Sequence, residues 1–256
     1  MNTQPIQTPL AMLKKSAPTI PLTFFLACLL PTQLLASETE AQLLLGGFYA
    51  KGQSEITSSA NTEVTGFPIG LNVQKDRWSA SVLTSYLKTY RNDDTTISQP
   101  ASGMGDTFIT VGYDLTQMPW ITVSLNHKIP TGSVDKGLST GEPDTGIQLD
   151  YFNTLSASSA VFASAGYKSV GKISGVAMQD PMNASIGLSR FMTTSVYIGG
   201  SIDYNESIYK ALKDTTGVSL FSGVSLSKRH QLLLTTYYDN SDSYQISANL
   251  SISLFD

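Results

Sequence analysis

The chain has 256 residues, 14% of them charged, and a formal net charge of −4. Soluble domains carry roughly 25% charged residues, so the surface is short of its usual charge, although mean hydropathy is near zero. Past residue 36 no stretch approaches the ~18 continuous apolar residues of a membrane helix, and an acidic balance gives nucleic-acid binding no support.

The N-terminus has the layout of an export signal. Lys14 and Lys15 precede the apolar run from Pro21 to Ala36, with Met12 a plausible start and cleavage expected after Ala36. Pro31 and Gln33 interrupt the run, which argues against a permanent anchor. The expected division is a signal peptide at 1–36 and a barrel domain at 37–256. Cys28 is the one cysteine, and the apolar residues continuing past it make a lipoprotein cleavage box a weak match. Without the signal the chain has no thiol, which excludes a disulfide scaffold, cysteine catalysis and thiolate metal sites.

Beyond the signal, apolar and polar residues alternate with a period of two, which places them on opposite faces of strands. The alternation predicts twelve strands, at 41–50, 64–75, 77–91, 105–116, 119–129, 144–155, 158–169, 180–191, 194–206, 213–225, 229–239 and 243–255. Their connections alternate between long and short, with 240–242 the one short exception among the long ones. The expected fold class is all-β: a transmembrane antiparallel up-and-down barrel of Gram-negative outer-membrane type, with long loops outside and short turns in the periplasm.

The faces follow strand by strand. Ile109, Val111, Tyr113 and Leu115 face lipid, while Asp106, Phe108, Thr110, Gly112 and Asp114 face inward. Gln148 and Asp150 alternate with Ile147 and Leu149, and Ser201 and Asp203 with Ile202 and Tyr204. In the last strand Gln245, Ser247 and Asn249 oppose Tyr244, Ile246 and Ala248. A one-residue slip would put carboxylates in hydrocarbon. Ser79, Ser81 and Ser85 share a face with Leu83 and Leu87, a less regular case. Trp78, Trp120, Tyr90, Tyr151, Tyr167, Tyr204, Tyr238 and Tyr244 fall near strand ends, where aromatic belts form.

The block His127-Lys128-Ile129-Pro130-Thr131-Gly132, followed by Lys136-Gly137-Leu138-Ser139-Thr140-Gly141-Glu142-Pro143-Asp144, resembles one family. It is similar to the signature K-[LVI]-PTG…GL-[GS]-TG-x-x-D of the outer-membrane phenol meta-degradation (MetA-pathway) transporter-like barrels. Gly103-Met104-Gly105-Asp106, Gly166-Tyr167-Lys168 and the polar stretch Asp239 to Ser243 fall at family-like spacing. The resemblance implies a barrel and a channel role without naming a solute. Read physically, Pro130 ends ladder pairing, and Gly132, Gly137 and Gly141 permit positive φ. Thr131, Ser139 and Thr140 can cap backbone groups. Asp144 and Lys128 meet the same rim, so an ion pair is expected at the extracellular mouth.

Enzymatic and metal chemistry find little footing. His127 is in phase with lipid-facing residues and has no serine partner in the local pattern, so lipid hydrolysis is a distant alternative. His230 lies beside Lys228 and Arg229 at a turn. Asp93-Asp94 and Asp239…Asp242 lack the ligand count of a calcium site, and no cofactor is expected. The inward polar set carries the functional expectation: Asp106, Thr110, Gln148, Asp150, Ser201, Asp203 and Asn249 line a pore, with Lys168 the main counter-charge. Asp106, Asp150 and Asp203 are the expected source of selectivity. The expected partners are outer-membrane lipid and lipopolysaccharide, the barrel-assembly machinery and a small-molecule solute. The segment 51–63 could fold inward as a plug. A non-conducting structural or adhesion barrel is the alternative, and a soluble β-sandwich a third class.

Overall fold

The computed structural model describes residues 39–53, 61–93, 96–97 and 100–254. The expected signal segment, the tip of the 51–63 segment, and Phe255 lie outside these. Twelve long strands and two short ones follow in chain order: β1 (Glu40–Gln53), β2 (Asn61–Lys75), β3 (Trp78–Asp93), β4 (Thr96–Ile97), β5 (Ala101–Met104), β6 (Thr107–Gln117), β7 (Trp120–Ile129), β8 (Asp144–Ser156), β9 (Ser159–Val170), β10 (Met182–Phe191), β11 (Val196–Asn205), β12 (Thr215–Ser225), β13 (His230–Asp239) and β14 (Tyr244–Ser253).

Each long strand pairs antiparallel with its sequence neighbours, and β1 pairs with β14, so the sheet closes on itself. Closure leaves no edge with unpaired backbone groups, which is the condition for a sheet to cross hydrocarbon. Every expected strand is present. The first hairpin extends further than alternation indicated, because charged and polar residues continue the ladder above the greasy belt: Lys51 pairs with Glu63 and Gln53 with Asn61. The ladder skips Gly46 and Gly47 opposite Phe67 and Pro68, since Pro68 has no N–H to give.

The connection 92–104, expected between the strands 77–91 and 105–116, is not wholly a loop. Residues Ala101–Met104 form β5 and continue the pairing of β6 with β3. The register sum changes by one between the two ladders, so Gly105 and Asp106 form a bulge, with the Gly105 N–H donating to Ser85 O at 2.8 Å.

The outward face is apolar all round. Ile202 is 60% exposed and Leu220 57%, while their inward neighbours Asp203 and Ser219 are 6% and 0% exposed. Such a continuous apolar exterior fits lipid rather than water. Leu83 and Leu87 turn out to be inward residues, sharing that face with Ser79, Ser81 and Ser85, as the pairings Gly70↔Leu83 and Gly66↔Leu87 require.

Inside, aromatic rings lie across glycines of adjacent strands. A methyl group at Gly187 would sit 2.2 Å from the Phe162 ring, and one at Gly199 2.2 Å from Phe221. Gly223 carries Tyr197, Gly217 carries Tyr237 and Gly66 carries Phe48 in the same manner. Phe162, Phe221 and Tyr197, with Leu233, form the apolar core of the short-turn half of the lumen.

Trp120 corrects the belt expectation. A bulge at Leu115 shifts the β6–β7 register, and Trp120 Nε1 donates to Asp114 Oδ2 at 3.0 Å. Its indole therefore serves a lumenal carboxylate. Trp78 remains outside, 58% exposed and packed on Tyr113 with ring centroids 4.8 Å apart.

Candidate functional site

The family-like block builds a knot at the long-loop rim. Lys128 and Asp144 are directly paired across β7 and β8, and both side chains point inward. Lys128 Nζ lies 2.9 Å from Asp144 Oδ2 and 3.7 Å from Asp106 Oδ2, and donates to Thr140 Oγ1 at 2.9 Å. The expected ion pair is therefore present, with a third loop residue attached. Asp106 Oδ1 accepts the Gly132 N–H at 3.1 Å, Thr131 Oγ1 donates to Gly105 O at 3.0 Å, and Asp144 Oδ1 accepts the Gly171 N–H at 3.1 Å. Leu138 and Ser139, within the loop itself, are buried.

Gly137 and Gly141 take positive φ, 67° and 77°, as their turns demand. Gly132 serves a different purpose: a Cβ there would come within 2.9 Å of Leu138 O. It allows the loop to fold back on itself. Pro130 ends the β7 ladder at Ile129, as its missing N–H implies.

Above the barrel, residues 171–181 and 206–214 hold each other. Met178 bridges to Tyr209, the Gln179 N–H donates to Ile208 O at 2.8 Å, and Gln179 Nε2 donates to Ser207 O at 2.9 Å. Asp180 pairs with Lys172 and accepts the Val170 N–H at 3.1 Å. The Lys172 ammonium, then the Val170 N–H, hold the Asp180 carboxyl below the usual carboxylate range. This packing directs Ile208 and Tyr209, both buried, toward the lumen.

A cavity of about 690 Å³ occupies the long-loop end of the lumen. Thr110, Lys128, Asp144 and Gln148 line it, together with Asn126, Lys168, Asn183, Ile208, Tyr209 and Leu212. Asp150, Ser201, Asp203 and Asn249 are not on its wall; they lie at other inward positions of the strands. Asp106 faces the 130–143 loop at the rim.

The inward acids differ in what they hold. Asp203 accepts from the hydroxyls of Ser185, Ser201 and Ser219, the first at 2.6 Å and the second at 3.0 Å. Asp114 accepts from Trp120 and from Thr122 Oγ1 at 2.6 Å. Both are tied into the wall as cross-strand staples. Asp150 accepts from Gln148 Nε2 at 2.7 Å, and no other partner is present among the described residues.

The histidines are engaged outside the lumen. His127 Nδ1 lies 2.9 Å from Thr145 Oγ1 on the outer face, and His230 Nδ1 lies 2.8 Å from Ser227 Oγ at a short turn. Among the described residues neither has a third group aligned as in a hydrolytic triad, and no cluster could hold a metal ion. Asp239 accepts from Ser241 and Ser243 within its own turn. Alternation did not reveal the apolar loop residues Ile208, Tyr209 and Leu212. Their hydrophobicity within a polar connection was the available signal.

No protein-family model matches the sequence, and no curated protein matches it by sequence. Among solved structures, the chain is similar to the COG4313 outer membrane channel from Pseudomonas putida F1. The TM-score is 0.65 at 14% identity, covering 88% of this chain and 99% of that one. The KdgM porin, solved with disordered oligogalacturonate, gives 0.56 at 6% identity, with 84% and 99% covered. The translocator domain of the autotransporter NalP from Neisseria meningitidis gives 0.52 at 10% identity, with 87% and 90% covered. These likenesses define the class: an outer-membrane-type β-barrel. At such identities they extend to the fold.

Proposed function

We propose that the protein sits in the bacterial outer membrane and lets small solutes pass down their gradient. The observation that carries this reading is the cavity at the long-loop end of a closed barrel, lined by polar and apolar side chains together. Thr110, Gln148, Asp150, Ser201, Asp203 and Asn249 line the path on this reading, and the Lys128 knot holds its mouth in shape. Lipid and lipopolysaccharide surround the outward belt, and the barrel-assembly machinery inserts the folded chain. The PTG…TG…D block supports a kinship with the phenol meta-degradation transporter-like barrels, and with it aromatic or other small catabolic solutes. In planar bilayers the refolded protein should conduct. Asp150→Asn should shift ion preference away from cations, since Asp150 has a single donor among the described residues, the Gln148 amide. A silent bilayer, or a conductance indifferent to Asp150→Asn, counts against the reading.

One observation favours a non-conducting barrel that presents its loops to a partner. The Phe162, Tyr197 and Phe221 rings, with centroids 5.7 and 6.3 Å apart, occupy the short-turn half of the lumen. Binding to cells or matrix that disappears on deleting 130–143, with strand content intact, would select this alternative.

A further inference from the structure

The charged groups around the cavity are unequal in one respect. The carboxylates on the cavity wall already have partners within the protein, Asp242 among them through the Tyr238 hydroxyl. Asp144 holds Lys128 and the Gly171 N–H, and Glu206 accepts the Met182 N–H at 2.9 Å. Asp214 accepts from the Tyr204 hydroxyl at 2.9 Å and the Ser207 N–H at 3.0 Å, and Asp239 accepts from Ser241 and Ser243. Lys128 is spent on Asp144 and Thr140. Lys168 lines the same cavity; the Asp144 and Lys128 charges act on it through space, yet among the described residues its ammonium has no hydrogen-bond acceptor and no carboxylate in direct ion-pair contact.

Its surroundings are those of a receptor for an anion. On one side Lys168 faces Gly146 across the β8–β9 ladder, so no side chain fills the space beside it. Asn126 pairs with Gly146, and Asn183 with Gly166, placing one amide on either side. Asn126 Oδ1 is already accepting from Thr110 Oγ1 at 2.7 Å, which leaves its Nδ2 donors pointing elsewhere. An ammonium held away from bulk water gains most from a charged acceptor. The same cavity also carries apolar surface from Ile208, Tyr209 and Leu212.

We infer that the cavity binds a compact organic anion, with its carboxylate on Lys168 and the Asn126 and Asn183 amides, and its apolar body against Ile208 and Leu212. The inference rests on the channel reading and gives it a substrate class: small carboxylic acids rather than sugars or cations. Apolar contact supplies affinity and the Lys168 ammonium supplies discrimination, since a neutral analogue leaves that ammonium unpaired.

The test is calorimetric titration of the refolded, detergent-held barrel with hexanoate, and with hexanamide as the uncharged counterpart. Hexanoate should bind saturably, about ten-fold more weakly in Lys168→Gln, a loss typical of one charge-assisted contact. Lys168→Arg should restore most of it. Ile208→Ser should weaken hexanoate binding in a barrel whose gel migration still shifts on boiling. The inference is overturned if hexanoate does not saturate, if Lys168→Gln binds as wild type does, or if hexanamide binds equally well. A barrel that binds hexanoate but carries no current refutes the channel reading and upholds this one. A conducting barrel with no hexanoate binding does the reverse.

Discussion

Asp203 shows how much one inward residue can organise. It draws hydroxyls from β10, β11 and β12 onto a single carboxylate that is 6% exposed. Replacing it with alanine removes the common acceptor and leaves buried hydroxyls unsatisfied. Asp203→Ala should therefore lose about 2–4 kcal/mol of stability, read from urea unfolding in detergent, and Asp203→Asn markedly less. The glycines under aromatic rings make the opposite kind of demand. Gly187→Ala would push a methyl group to 2.2 Å from the Phe162 ring and 2.5 Å from the Gly200 carbonyl oxygen. The backbone oxygen has no rotamer to escape into, so a loss of about 1–3 kcal/mol is expected.

Among the elements, the 130–143 loop depends on Lys128, whose side chain is 10% exposed and faces Asp144 and Asp106. Lys128→Met would leave two nearly buried carboxylates without their cation, at a cost of about 3 kcal/mol. Protease cleavage within 130–143 should rise at concentrations that spare the wild type. The 171–181 segment responds to pH. Asp180 has its folded pKa lowered, first by Lys172 and then by the Val170 N–H. Its contribution is present above the unfolded carboxylate value of about 4 and is lost as pH falls through the lower folded value. Protection of this segment from proteolysis should be level from pH 7 to about 5 and decline only below about 4. In Asp180→Asn that decline should be absent, because the contact is already lost at neutral pH.

At the scale of the whole molecule, the apolar exterior fixes where the barrel can be stable. Leu188 is 59% exposed on the outward face of β10. Leu188→Lys should cost about 2–4 kcal/mol if that position lies near the bilayer midplane, and the folded band on unboiled gels should weaken. The same belt explains the low charge of the chain: a surface solvated by hydrocarbon has no use for ions.

Much of this architecture is legible from residue order alone. Period-two alternation fixes strand number and facing because carboxylates such as Asp203 cannot occupy the lipid side while Ile202 and Tyr204 take the lumen. The Lys128–Asp144 pair is legible too, since both residues flank one loop at adjoining strand ends. What alternation cannot express is which inward groups spend their charge on one another. Asp106 and Asp203 read like Asp150 in the sequence, yet they hold a loop and three serines. Trp120 spends its indole N–H on Asp114, and packing between two loops brought Ile208 into the cavity that Lys168 lines. Strand identity is a local property, set by two-residue periodicity. The chemistry left over for a ligand depends on contacts between distant strands, and closing the cylinder decides those.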